Sequence, residues 1–164
     1  MRKYLFLLIV FLSSHVIFSQ KDSKVLNPRG IHKTGYYFSF LGPAPFLSFS
    51  MNHFLNEKIN LEAGLGAVGA FGGIHFFSSK KEKKSLFAPY TGINLGFMTL
   101  PDIEVGIGGS SGGWGKFMTF YIPAGVQLMT LNGFHLSVEG AMFAFTGYNS
   151  KVMPWGSLKI GQNF

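Results

Sequence analysis

The chain of 164 residues contains no cysteine. Disulfides, cysteine-based metal sites and a lipid anchor on an N-terminal cysteine are therefore excluded. Charge is also scarce, because Asp, Glu, Lys and Arg make up 13% of the chain, against about 25% in an ordinary soluble domain. A soluble domain of this size would need more charge to cover its surface.

Long hydrophobic runs are missing after residue 18. The chain is 47% hydrophobic and 16% aromatic, yet no later stretch approaches the roughly 20 apolar residues of a membrane-spanning helix. Alternation explains high apolar content without long runs, since a strand of a membrane barrel presents every second side chain to lipid. The composition therefore favours a membrane β-barrel over a helical membrane protein.

The first residues have a different pattern. Arg2 and Lys3 precede an apolar run at 4–18 that polar residues interrupt. Such a run is too short to span a bilayer comfortably but suits a secretory signal peptide, and Ser19 supplies the small residue that cleavage needs. We predict a signal peptide at 1–19, with an uncleaved helical anchor as the alternative.

The rest of the chain is predicted to form one all-β domain. Residues 20–33 are polar and irregular, and predict a flexible leader. From Thr34 onward, apolar and polar residues alternate between turn residues, as β-hairpins require. Residues 34–164 therefore predict an antiparallel up-and-down transmembrane β-barrel of about eight strands. The predicted strands are 34–41, 46–55, 58–67, 73–78, 86–98, 116–129, 134–146 and 155–164.

The two faces of these strands differ in chemistry. The polar face carries many glycines and few charges, and would make a poor exterior in water. Turned inward it fits, because the interior of an eight-stranded barrel is just wide enough to be filled by side chains. We therefore expect the polar face to point inward and the apolar face to meet lipid. A soluble lipocalin-like carrier, with its apolar face inward, is the alternative.

Three charged residues fall on the predicted inward face: Glu62, Glu139 and Lys159. We expect Glu139 and Lys159 to form an internal ion pair that plugs the lumen. The alternative is that these residues lie at the rim, in water. A wide pore is not expected, because open channels need about 16 strands.

The last nine residues resemble the terminal strand of outer-membrane barrels, in which the barrel-assembly machinery recognises the final aromatic, here Phe164. Together with Phe18-Ser19-Gln20 and Pro89-Tyr90-Thr91-Gly92, this strand resembles the small outer-membrane β-barrel proteins of Bacteroidetes-type bacteria, with an OmpA/OmpX-like architecture. The resemblance implies a bacterial outer membrane, with its lipids and the assembly machinery as partners. It leaves open a structural, accessory or surface-binding role, or a place in an envelope complex.

An enzymatic alternative rests on His135, Ser137 and Glu139, which share one face of one strand. The lipid A deacylases among outer-membrane barrels use a His-x-Ser pair with a glutamate, so the pattern suggests a lipid hydrolase. The face points inward, however, and no oxyanion donor is evident. We therefore favour lumen-filling polar residues over catalysis.

Two further segments bear on partners. The glycine-rich loop predicted at 99–115 carries Asp102, Glu104 and Trp114, a combination that suits a protein partner, and a featureless mobile loop is the alternative. The lysine run at 80–84 is interpreted as a solvated turn near anionic head groups, not as a nucleic-acid site. The histidines have no metal-ligand spacing, and neither a metal nor a cofactor is predicted.

Overall fold

The computed structural model describes residues 27–78, 86–101, 114–146 and 151–164. Eight strands form one closed antiparallel barrel in which each strand pairs with its sequence neighbours and the last pairs with the first. This confirms the predicted up-and-down barrel. The elements are α1 Pro28–Ile31, β1 Thr34–Phe40, β2 Leu47–Asn56, β3 Ile59–Gly66, β4 Gly69–Phe77, β5 Phe87–Pro101, β6 Trp114–Met129, β7 Phe134–Thr146 and β8 Lys151–Asn163.

Several strands are longer than the alternation predicts. β4 begins at Gly69 instead of residue 73, because its glycines pair with β5 through the backbone without any side-chain pattern. β8 begins at Lys151 instead of residue 155, with Pro154 opposite Met142. The predicted 99–115 loop likewise loses its ends to β5 and β6. Its remaining residues lie outside the described part of the chain.

The barrel has two ends, which we call the terminus end and the loop end. The terminus end holds α1, the start of β1, the end of β8 and the connections at 57–58 and 130–133, and β4 ends and β5 begins there. The loop end holds the connections at 41–46 and 67–68, and at this end β5 and β7 end and β6 and β8 begin. The connections after β2 and β6 are short, as predicted.

The burial pattern is the reverse of that in a soluble protein. In β2, Ser48, Ser50 and Asn52 are buried, while Leu47 and Phe49 are exposed. The other strands alternate in the same way, so polar side chains and a smaller number of large apolar ones fill the lumen, and apolar side chains cover the wall. Among the large exposed residues are Tyr36, Phe38, Phe40, Leu61, Leu65, Phe76, Ile93, Leu95, Phe97, Met118, Ile122, Val126, Val138, Met142, Leu158 and Ile160.

Glycines on the inward face make room for large lumen side chains. His75 is the register partner of Gly92, and His135 is the partner of Gly161. A Cβ atom at Gly161 would lie 2.8 Å from His135 Nε2, and one at Gly92 would overlap the ring of His75. A large residue beside a glycine on the next strand thus fills the narrow interior without overlap.

Gly92→Ala is therefore expected to lower the free energy of unfolding by about 1–3 kcal/mol, because the imidazole of His75 has no space into which to retreat. Gly140→Ala is the matched control, since a Cβ atom there meets nothing within 4 Å. A urea titration of the detergent-folded barrel, followed by the gel mobility of unheated samples, measures both. Equal stability of the two variants would contradict this account of the inward glycines.

The last part of the leader predicted at 20–33 contains the short helix α1. Asn27 caps α1 by accepting a hydrogen bond from the Arg29 backbone, and Pro28 occupies the first turn, where its missing N–H costs nothing. Arg29 is fully buried inside the terminus end. Residues 1–26, including the predicted signal peptide, lie outside the described residues. The described part of the chain contains no helix long and apolar enough to cross a membrane.

Candidate functional site

Four ionisable side chains meet in the middle of the lumen. Glu62 comes from β3, His75 from β4, Glu139 from β7 and Lys159 from β8, and each is almost completely buried. All four occupy inward positions of their strands, so strand alternation places them in one polar layer. This layer is the candidate functional site.

Lys159 lies between the two carboxylates. Its Nζ is 3.3 Å from Glu139 Oε1, so the ion pair predicted from the sequence is present. Its Nζ is closer still, at 2.8 Å, to Glu62 Oε2. Sequence analysis missed this second pair because β3 and β8 are not neighbours, and their side chains meet across the lumen. One ammonium therefore serves two carboxylates.

Hydrogen bonds from hydroxyl groups complete the shell of both carboxylates. Ser50 Oγ donates to Glu62 Oε1 at 2.8 Å. The Tyr90 and Tyr121 hydroxyls donate to the two oxygens of Glu139, at 2.7 and 3.0 Å. Hydrogen bonds to a charged acceptor are the strong ones, and they offset the loss of water that burial imposes on the carboxylates.

His75 connects this network to β5. Its Nδ1 is 3.4 Å from Glu62 Oε2, and its Nε2 is 3.1 Å from Asn94 Nδ2. Asn94 therefore donates to Nε2, which leaves Nδ1 to carry the proton toward Glu62. Sequence analysis did not identify His75 as a site residue. His75 lies two residues before Phe77 on the same strand, so strand alternation puts both side chains on the inward face, and this alternation could have identified it. No group of three potential metal ligands occurs within the described ranges.

Apolar side chains close the lumen on both sides of the polar layer. Phe54, Phe77 and Met129 pack toward the terminus end, and Met98, Tyr121 and Phe143 toward the loop end. A space of about 10 Å³ beside Lys159 and Tyr90 has room for about one water molecule. The polar layer and the two apolar clusters therefore fill the middle of the described lumen.

Arg29 seals the terminus end. Its guanidinium lies over the Phe77 ring, 5.4 Å from the ring centroid. Its Nε donates a hydrogen bond to the Gln127 side chain at 3.0 Å. Its Nη2 donates to the backbone carbonyls of Leu86 and Gln127, both at 3.2 Å. Burial lowers the pKa of Arg29 to about 10. The group still carries its charge at neutral pH, so α1 places a cation in this mouth.

The predicted catalytic alternative does not assemble. His135, Ser137 and Glu139 all point inward, as their shared parity requires. The His135 ring packs edge-on against Tyr37 at 4.2 Å and interacts with the Asn163 side chain, not with Ser137. Glu139 binds tyrosines and Lys159 instead. Without a bond from base to nucleophile, this arrangement does not activate Ser137.

The remaining predicted residues are Asp102, Glu104, Trp114 and Phe164. Asp102 and Glu104 fall outside the described residues, and Trp114 begins β6 opposite Pro101. Phe164 is 68% exposed at the terminus end. Its backbone exchanges hydrogen bonds with Thr34, at 2.8 and 3.3 Å, so the chain end is held in the closing seam beside β1.

These features define a closed eight-stranded antiparallel barrel with an ion-paired lumen and an apolar outer wall. The chain is similar in structure to the N-terminal β-barrel domain of Pseudomonas aeruginosa OprF, with a TM-score of 0.52 and 17% sequence identity. The likeness covers 80% of this chain and 96% of that domain. No family model matches the chain, and no curated protein matches it in sequence. The likeness therefore supports the fold.

Proposed function

We propose that the chain is a non-enzymatic integral protein of a bacterial outer membrane, with a structural or accessory role. The observation that carries the proposal is the apolar outer wall. The exposed charged residues of the described ranges lie at the barrel ends: Lys33 and Lys58 at the terminus end, and Lys116 and Lys151 at the loop end. Water-soluble monomers rarely expose more than a few hundred Å² of continuous apolar surface. A lipid bilayer is the solvent that such a wall suits.

The closed barrel supports the same proposal. In a closed barrel every strand is hydrogen-bonded to a neighbour on both sides, so no strand edge with unpaired backbone groups is exposed to the hydrocarbon. A soluble carrier would need the opposite distribution, with water outside and an apolar cavity inside. The signal-like first residues and the terminal Phe164 favour export and recognition by the barrel-assembly machinery, which we propose as a partner together with outer-membrane lipids.

The packed lumen favours a structural role over transport or catalysis. Ion pairs and tyrosine hydroxyls fill its centre, and apolar clusters and Arg29 fill its ends. Any surface-binding role would then fall to the connections at the loop end, since the strands are committed to lipid on one side and to the packed interior on the other. A protein partner bound at the segment of Asp102 and Glu104 remains part of this proposal.

Cell fractionation combined with gel mobility tests the proposal. We expect the protein in the outer-membrane fraction, extracted by detergent but not by high salt or carbonate. Unheated samples should migrate faster than boiled ones, because the closed barrel stays compact in detergent. A soluble periplasmic protein of the same host serves as the fractionation control. Recovery of this chain with that control would overturn the membrane assignment.

A further inference from the structure

The connection between β1 and β2 folds into the barrel at the loop end. Pro43 and Ala44 are buried, and the turn is closed by a hydrogen bond from the Leu41 amide to the Phe46 carbonyl at 2.9 Å. We call residues 41–46 the inward turn. It extends from β8, where Gly42 lies against Ser157, to the end of β3, where Ala44 lies against Gly66. The turn therefore covers part of this mouth.

The inward turn is strained at both ends. Leu41 has a φ of +59° and Phe46 a φ of +72°, the left-handed region. Neither residue is glycine, and for a large side chain this conformation is unfavourable because Cβ approaches the backbone. Strain of this kind persists only where surrounding contacts hold it, and it is typical of segments that have a second conformation.

Three buried serine hydroxyls lie below the inward turn. Ser39, Ser48 and Ser157 are at most 7% exposed, and the Ser157 side chain interacts with Tyr121. Ser39 is the register partner of both Ser48 and Lys159. We call these three residues the serine cluster. The closed turn thus lies over a set of polar groups and covers them from the loop end.

The burial of residues 42–45 and contacts at both ends hold the turn in place. The Trp155 indole N–H donates to the Leu41 carbonyl, and the methyl group of Ala44 packs onto Gly66. Trp155 is itself fixed by stacking on Phe143, with ring centroids 5.6 Å apart. These contacts oppose the backbone strain at Leu41 and Phe46.

We propose that the inward turn is a hinged lid on the loop end. When it swings outward, Leu41 and Phe46 leave the left-handed region, and water and small hydrophilic solutes reach the serine cluster. The cluster leads toward Lys159, two residues beyond Ser157 on the same face of β8. The lid is thus an entry for water to the polar layer, which a rigidly closed barrel would lack. This inference does not depend on the location of the barrel.

Cysteine labelling tests the lid directly, because the natural chain has no thiol. Ser157→Cys places a thiol below the lid, and Asn60→Cys places one in the fully buried part of the lumen far from it. Each full-length variant is folded in detergent and exposed to a small, water-soluble methanethiosulfonate reagent, and labelling is followed by mass. Gel mobility of unheated samples establishes that each barrel is folded.

The thiol at position 157 is expected to react at least about tenfold faster than the one at position 60. Adding Trp155→Phe removes the hydrogen bond to the Leu41 carbonyl. It should accelerate labelling at 157 by roughly fivefold, the factor that corresponds to the net free energy of one hydrogen bond. Gly66→Ala should also accelerate it by displacing Ala44, whereas Gly140→Ala, which meets nothing, should not. If Gly66→Ala does not fold, Trp155→Phe decides alone. Equal rates at both positions, or no response to the lid substitutions, would overturn the proposal.

Discussion

Lys159→Met is expected to destabilise the barrel by about 3–5 kcal/mol, because it leaves two buried carboxylates without their cation. The hydroxyls of Ser50, Tyr90 and Tyr121 would remain, but they cannot neutralise charge. Methionine keeps most of the volume of lysine, so the loss reports the charge and not a cavity. Urea unfolding of the detergent-folded protein, read from gel mobility, measures the change.

The carboxylate variants separate the two ion pairs. Glu139→Gln should cost less than Lys159→Met, because Lys159 keeps its closer partner Glu62 at 2.8 Å while only one tyrosine hydroxyl loses its acceptor. Glu62→Gln should cost more, since it weakens this contact and that with His75. Combining Lys159→Met with Glu62→Gln should cost less than the sum of the single changes, as expected for groups that share one network. Simple additivity would show that Lys159 and Glu62 do not interact in the folded barrel.

Val138→Arg is expected to destabilise the protein by about 2–4 kcal/mol if the wall faces lipid, because an arginine near the bilayer midplane loses its water. Val138 is 61% exposed near the middle of β7, between Val126 and Leu158. Stability in lipid vesicles, again by urea titration, measures the effect. In a protein surrounded by water the same substitution would be neutral or would improve solubility.

Val152→Arg is the matched control. Val152 is also exposed on the outer wall, but it lies beside Lys151 at the loop end of β8. Near a bilayer interface the penalty falls to about 0–1 kcal/mol. The difference between the two arginine variants thus measures depth in the membrane, and equal effects at both positions would argue against a lipid-facing wall.

Strand alternation was enough to predict the barrel and to predict which face of each strand points into the lumen. The sequence around Ser48, Phe49 and Ser50 shows two chemically distinct faces, and the glycine content of the polar face indicates which one points inward. The pairing of Glu139 with Lys159 followed because β7 and β8 are neighbours. These inferences depend on local periodicity and on the adjacency of consecutive strands, and both can be recognised from the sequence alone.

Features that depend on contacts across the lumen were not accessible. Glu62 reaches Lys159 from the far side of the barrel, and no rule of strand adjacency predicts that meeting. The α1 segment was interpreted as part of a flexible leader because Asn27-Pro28-Arg29 is polar and irregular. The partners of Arg29 are Phe77, Leu86 and Gln127, which come from distant parts of the sequence and meet it only in the folded barrel. The inward turn was not predictable either, since Gly42-Pro43-Ala44-Pro45 indicates a turn but not the direction in which it folds.

The position of Lys159 on the last strand links charge neutralisation to barrel closure. β8 pairs with both β7 and β1, and it also carries the cation that Glu62 and Glu139 share. A chain truncated before β8 therefore loses its final seam and its counter-ion together.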